Sequence, residues 1–290
     1  MSASYAHIQS GAVPLAITFL LVAMALVYLR GWLCLRHAFP ALIPGWRLAE
    51  FMCGLGLAWI AVASPLATLD HQLLTIHMIK HLLLMTVAAP LLLGGAPVFP
   101  LVCGLPKVFI KSHRPLTSVV GRSLERCGRH PVLCWLAGTI AVIGWHFPVA
   151  FQWGMCSQET HILEDVSFLV TGLLFWWPIL QSSPSATKPS RWSMALYLFL
   201  ATLPCDVLSA LLVFGNRLVY PHHLSTVQLF SMTPLQDQEC AGALMWFWVT
   251  FAYLIPAVII TVRLLSPVDS NLLEPAEAAW RHPAPKPEVL

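Results

Sequence analysis

Charged side chains are scarce in this chain: aspartate, glutamate, lysine and arginine make up 10% of its 290 residues. Soluble domains carry about 25% charged residues, so an ordinary soluble domain is excluded. The sequence also lacks a glycine-rich phosphate loop, an HExxH motif and paired CxxC motifs. These absences argue against P-loop nucleotide binding, zincin proteolysis and cysteine zinc domains. No basic pattern suggests nucleic-acid binding. The 58% of hydrophobic residues and the mean hydropathy of +0.73 instead indicate an integral membrane protein.

Seven apolar stretches are long enough to cross a hydrocarbon core, which takes about 20 helical residues. They cover residues 12–29, 48–66, 71–94, 131–151, 161–180, 192–214 and 240–262. The first stretch lacks the basic flank of a cleaved signal peptide, so we predict that it is retained as a helix. The sequence therefore predicts an all-α, seven-helix transmembrane bundle over residues 1–266. Residues 267–290 are rich in proline, alanine and glutamate, which predicts a flexible cytoplasmic tail.

Basic residues are distributed unevenly between the connections. Loops 1, 3 and 5 and the C-terminal tail hold fourteen of the sixteen lysines and arginines. The N-terminal tail and loops 2, 4 and 6 hold only Arg217, and Lys80 lies within the third stretch. By the positive-inside rule, the N-terminus lies outside and the C-terminus lies in the cytoplasm. Loop 3 (residues 96–130) is basic with interspersed apolar residues, so we expect it to contact anionic lipid headgroups.

Three histidines and a lysine interrupt the third apolar stretch. His77 and His81 are four residues apart, so on a helix both project from one face, in a stripe with Asp70 and Met85. Counted from His71 at the outer end, His77 lies roughly 9 Å and His81 roughly 15 Å into the membrane. Ionisable residues at that depth usually face a bundle interior or a wet cavity. A histidine pair of this spacing is also half of a metal site.

Further polar residues fall in the outer half of the predicted bundle. They are His146, His161, Glu164, Asp165, Asp206, His222, His223 and Asp237. Simpler interpretations stay open, because interfacial histidines can sit among headgroups, His146 can cap a helix, and Asp206 can pair with Lys80. Cys156 and Cys240 are compatible with a disulfide or with metal ligation. Methionine, histidine and cysteine together suit Cu(I), whereas zinc accepts histidine with carboxylate.

Several sequence blocks carry a resemblance to a known family. They are HMIKHLLLM at 77–85, APLLLGGAP at 89–97, WHFP at 145–148, FWWP at 175–178, YPH at 220–222, and PLQDQ at 234–238 leading to Gly242 and Met245-Trp246. In motif and in order, the region from about Pro65 to Arg263 resembles the cytochrome c oxidase assembly factor CtaG family of seven-helix membrane proteins. This family is distinct from the single-span copper chaperone that shares its name.

The resemblance implies a process, partners and site residues. A protein of this kind would act in the bacterial cytoplasmic (inner) membrane, where it would supply copper to the catalytic subunit of a haem-copper oxidase after receiving it from a periplasmic copper donor. The family pattern leads us to expect a second histidine about four residues after His161, where this chain has Asp165. The site would then include a carboxylate, or Asp165 would lie behind the ligands. The candidate metal ligands are His77, His81, His146, His161, His222, Asp165, Asp237 and Met245.

Two other functions stay open at this point. A seven-helix zinc hydrolase acting on lipid amides would also hold its metal with histidines and an aspartate from several helices. A haem protein would need axial ligands from two helices, because His77 and His81 share one face. The prediction is therefore a copper-handling assembly factor without catalytic residues of its own, with zinc or haem as the alternative cofactors.

Overall fold

The structure is a computed structural model that describes residues 2–38, 43–64, 69–70, 72–106, 130–181, 190–220 and 232–266. Within these ranges the chain forms nine helices and no strand. They are α1 (Ser2–Ala38), α2 (Gly45–Val62), α3 (Leu74–Gly94), α4 (Val98–Gly104), α5 (Pro131–His146), α6 (Pro148–Gly154), α7 (Gln158–Leu180), α8 (Arg191–Phe214) and α9 (Pro234–Leu265).

Six of these helices are long and apolar enough to cross a membrane, and the bent pair of α5 and α6 makes a seventh if it is taken as one span. The predicted all-α, multi-pass class is therefore confirmed. The orientation of the termini stays a prediction from the charge distribution. Most of the predicted lipid-contacting loop 3 and the predicted tail lie outside the described residues.

The fourth apolar stretch is not one continuous helix, although residues 131–151 were expected to be. The helix ends at His146, and α6 continues at an angle of 83°. Phe147 precedes Pro148, and its backbone is extended, with φ −65° and ψ 132°. The ring of a proline disfavours helical dihedrals in the residue before it, which explains a break at this position.

Helix α3 is the centre of the bundle. Of its most apolar window, 67% is buried, compared with 6% for the corresponding window of α1. It begins at Leu74, three residues later than predicted, because Leu73 is still extended. The backbone N–H groups of Leu74 and Thr75 have no acceptor within the helix, and they donate to the carboxylate of Asp237 on α9. From this start His77 lies about 5 Å and His81 about 10 Å along the helix, shallower than the count from His71 implied.

A π-helical turn interrupts α3 at Leu83–Ala88. Ala89 N–H donates to Leu84, five residues back, and Pro90 has no N–H to offer, so the Met85 carbonyl loses its usual helical partner. The indole of Trp176 on α7 donates to that carbonyl at 3.0 Å. This bond links α7 to α3 one helical turn after His81, the last histidine of α3.

Candidate metal centre

Seven ionisable side chains meet in the interior where the first halves of α3 and α7 face each other. We call this set the polar cluster, and each member is at most 8% exposed. Its members are Asp70, His77, Lys80, His81, His161, Glu164 and Asp165. Burying so many ionisable groups is costly unless they pair with one another or bind an ion.

His77, His81 and Glu164 form the part of the polar cluster best suited to hold a metal ion. The Nε2 atom of His77 lies 3.4 Å, and that of His81 lies 3.8 Å, from Oε1 of Glu164. Ligand atoms of the three residues all lie within 4.8 Å of one another. Tetrahedral ligands at metal distances of 2.0–2.1 Å would be separated by roughly 3.3 Å. The observed distances are therefore close to those of a coordination shell, and we call these residues the His-His-Glu triad.

His161 joins the polar cluster through Asp70. Its Nε2 atom lies 2.7 Å from Oδ2 of Asp70, and its Nδ1 atom lies 3.7 Å from Oε2 of Glu164. Asp70, His77 and His161 form a second group with metal-compatible spacing. Burial alone would raise the pKa of the Asp70 carboxyl, but hydrogen bonds from His161 and Lys80 and the lysine charge hold that pKa well below its usual range. These contacts favour the ionised form of Asp70.

Lys80 pairs with two carboxylates of the polar cluster. Its Nζ atom lies 2.5 Å from Oδ2 of Asp70 and 3.0 Å from Oδ1 of Asp165. The sequence alternative that paired Lys80 with Asp206 on α8 was therefore wrong. Asp165, which stands where the family resemblance led us to expect histidine, also lies 3.4 Å from Nε2 of His81. It is shared between the lysine and the triad.

Aromatic rings enclose the histidines. The ring of Phe168 stacks on His81 with centroids 4.2 Å apart, and Phe151 of α6 meets the edge of His77 at 5.1 Å. A Cβ atom added to Gly154, also on α6, would lie 2.8 Å from Oε2 of Glu164. The bend between α5 and α6 thus brings a short helix over the polar cluster.

Two other predicted ligands lie beside the His-His-Glu triad rather than in it. His146 and Met245 line a cavity of about 30 Å³ that His81 also borders. His146 places its Nδ1 atom 2.7 Å from the Val142 carbonyl, within its own helix. His146 of α5 and Met245 of α9 therefore share a cavity with one member of the triad, His81.

Asp237 and His222 complete the predicted ligand set. The two carboxylate oxygens of Asp237 accept hydrogen bonds from the start of α3, at 2.6 and 3.1 Å from the backbone nitrogens of Leu74 and Thr75. Asp237 therefore links α9 to the start of α3, and it belongs to neither of the two groups with metal-compatible spacing among the described residues. His222 lies outside the described residues. Cys156 and Cys240 are exposed free thiols.

Three members of the polar cluster were not among the predicted ligands. Glu164 lies one helical turn after His161, and Asp70 lies on the same predicted stripe as His77, so their spacing was a usable signal. Lys80 had no such signal, because a lone lysine in a span gives no indication of its partner. The partners of Lys80 depend on how α7 and the segment before α3 pack around it, which the sequence alone does not show.

Comparison with known proteins identifies a family. The model of the family described as Cytochrome c oxidase caa3 assembly factor (Caa3_CtaG) matches residues 26–266, which is most of the chain. No curated protein matches, and no solved structure matches. The matched region contains every described residue of the polar cluster and of the neighbouring cavity. The chain therefore belongs to the Caa3_CtaG family of cytochrome c oxidase caa3 assembly factors.

Proposed function

We propose that this assembly factor binds copper in the polar cluster and transfers it to the catalytic subunit of a haem-copper cytochrome c oxidase. The observation that carries the proposal is the His-His-Glu triad, in which two imidazoles and a carboxylate from two helices converge at metal-ligand spacing. Family membership supplies the process, which is oxidase assembly. Copper is the ion that suits both this set of ligands and the assembly of a haem-copper oxidase.

The charge of the polar cluster supports a bound cation. Its three carboxylates and one ammonium leave a formal charge of −2 when the histidines are neutral. Uncompensated buried charge is strongly unfavourable, so a copper ion in either oxidation state would reduce the excess. Asp70 and Asp165 are already paired with Lys80, and Glu164 is the carboxylate that lies near both histidines of the triad.

The proposed direction of transfer follows from the predicted orientation. If the charge distribution of the sequence sets the orientation, the polar cluster faces the outer half of a bacterial cytoplasmic membrane. Copper would enter from a donor on that side and leave by ligand exchange with the oxidase subunit. The aromatic cover of Phe151 and Phe168 would keep the ion from lipid and bulk water between these events.

A zinc-dependent membrane hydrolase is the second candidate. The specific observation in its favour is that two histidines and a glutamate are also the zinc ligands of known hydrolases. Zinc in the triad together with hydrolytic turnover would support it, and copper without turnover would support the assembly function. Haem has no comparable support, because the cavity beside His81 has about 30 Å³, enough for an ion or a water molecule and far too small for a porphyrin.

The decisive experiment is elemental analysis of the purified protein beside a His77→Ala/His81→Ala variant. We expect copper in the wild type and its loss in the double variant, together with lower copper content in the oxidase of the same membranes. His130→Ala is the matched control, because His130 is exposed at the start of α5 and away from the polar cluster. Equal copper in the double variant and the control, with normal oxidase copper, would refute the proposal.

A further inference from the structure

The cavity beside His81 differs in chemistry from the polar cluster. Apart from His81 and His146, its lining is apolar, sulfur-bearing or hydroxyl-bearing, and it includes three thioethers and one thiol. These sulfur residues are Met78, Met85, Met245 and Cys205. They come from three helices, and each is at most 6% exposed. Methionines are common core fillers, but three of them with a thiol and two imidazoles around one small cavity form a soft donor set.

His146 gives this cavity a ligand that is ready to bind metal. Its Nδ1 atom must donate to the Val142 carbonyl, since a carbonyl oxygen can only accept. In the neutral imidazole the Nε2 atom then carries the lone pair, and it is buried with no hydrogen-bond partner. The whole residue is 9% exposed. A histidine fixed by a backbone carbonyl on one nitrogen and open on the other is the usual arrangement of a metal-bound imidazole.

The size of the cavity limits what it can hold. At about 30 Å³ it exceeds the roughly 10–15 Å³ that one water molecule requires, and it is too small for any organic cofactor. A single ion fits, and potential ligands that are mainly thioethers and imidazoles favour Cu(I) over zinc, calcium or magnesium. The cavity has no carboxylate in its lining, so it offers little to a divalent ion that needs charge compensation.

We propose that this cavity is a second copper site, selective for Cu(I), with His146 and the methionine sulfurs as ligands. The inference rests on the proposed function, because copper would reach the cavity from the His-His-Glu triad. His81 borders both sites, so the ion can exchange the ligands His77 and Glu164 for His146 and a thioether. The exchange leaves the oxidation state of copper unchanged and requires no deprotonation of His146, since Nε2 of its neutral imidazole already has a free lone pair.

The test is anaerobic titration of the full-length protein in detergent with tetrakis(acetonitrile)copper(I), followed by X-ray absorption spectroscopy. We expect two Cu(I) ions per wild-type chain and sulfur neighbours near the usual metal–sulfur distance of about 2.3 Å. The variant Met78→Leu/Met85→Leu/Met245→Leu should bind one ion with nitrogen and oxygen neighbours only. Leucine nearly conserves the volume of methionine, so the core should be retained. If the triple variant does not fold, Met245→Leu alone should still lower the sulfur signal.

Two comparisons complete the design. Met194→Leu is the matched control, because Met194 is buried on α8 outside the cavity, and it should behave as wild type. His77→Ala/Glu164→Gln should keep the sulfur-bound ion and lose the other. No sulfur signal in the wild type, or an unchanged signal in the triple variant, would overturn the second site. If copper then remained bound through the triad, the proposed function would survive. If instead His77→Ala/Glu164→Gln bound as much copper as the wild type, all of it with sulfur neighbours, the site in the cavity would be supported and the site in the triad would be refuted.

Discussion

Replacement of Lys80 by methionine should destabilise the metal-free protein strongly. The ammonium lies 2.5 Å from Asp70 and 3.0 Å from Asp165, and all three groups are at most 4% exposed. At an effective dielectric constant near 20, each contact corresponds to about 5–7 kcal/mol of Coulomb attraction. Much of that attraction is offset by desolvation, and loss of one partner of a buried pair costs roughly 3–5 kcal/mol. We expect a loss of unfolding free energy in that range for Lys80→Met.

The assay is unfolding of the purified protein in detergent with a metal chelator present, and Arg217→Met, at an exposed position, serves as the control. Added copper should restore part of the lost stability, because the variant has a formal charge of −3 in its polar cluster and gains more from a cation. Lys80→Met/Asp70→Asn/Asp165→Asn should recover much of the loss, since the two carboxylates that Lys80 neutralises are then uncharged amides. A loss below about 1 kcal/mol in the single variant, or a triple variant no more stable than the single, would refute this account.

Three further substitutions test the supports of the site. Gly154→Ala should push the Glu164 carboxylate away and lower metal content, whereas Gly144→Ala, where an added Cβ meets nothing within 4 Å, should leave metal content unchanged. Asp237→Ala should cost about 0.5–2 kcal/mol in unfolding free energy through loss of the α3 cap, and unchanged stability would remove the capping role. Trp176→Phe should cost about 1–3 kcal/mol by leaving a carbonyl of the π turn without a donor, and a smaller loss would show that this carbonyl finds another partner.

The spans of this protein could be read from hydropathy because length and apolarity are local properties. Helices α7 and α8 begin and end within about three residues of their predicted stretches. The bend after His146 also had a local signal, the Phe147-Pro148 pair, but a proline in a span can equally well be tolerated in a continuous helix. Pro204 and Pro256 lie inside α8 and α9 in that way.

The candidate site was only partly predictable. The spacing of His77 and His81 placed them on one buried face, as the structure has them. Glu164 and Asp165 are adjacent in sequence, however, and how closely each carboxylate approaches the histidines depends on the rotation of α7 about its axis. That rotation is set by contacts far along the chain, including the close approach of α7 to the π turn at Gly172. No single-sequence pattern encodes such a rotation.

The brevity of α5 has a consequence for the surrounding lipid. Its 16 residues rise about 24 Å, whereas an average hydrocarbon core is about 30 Å thick. Val132, Leu133 and Ile140 on its outer face are more than 60% exposed, so acyl chains contact this short helix directly. The resulting hydrophobic mismatch must be relieved by local thinning of the bilayer or by a neighbouring protein that covers the face. In either case less hydrocarbon surrounds α5 than an ordinary span, because the bilayer is thinner there or protein replaces part of the lipid.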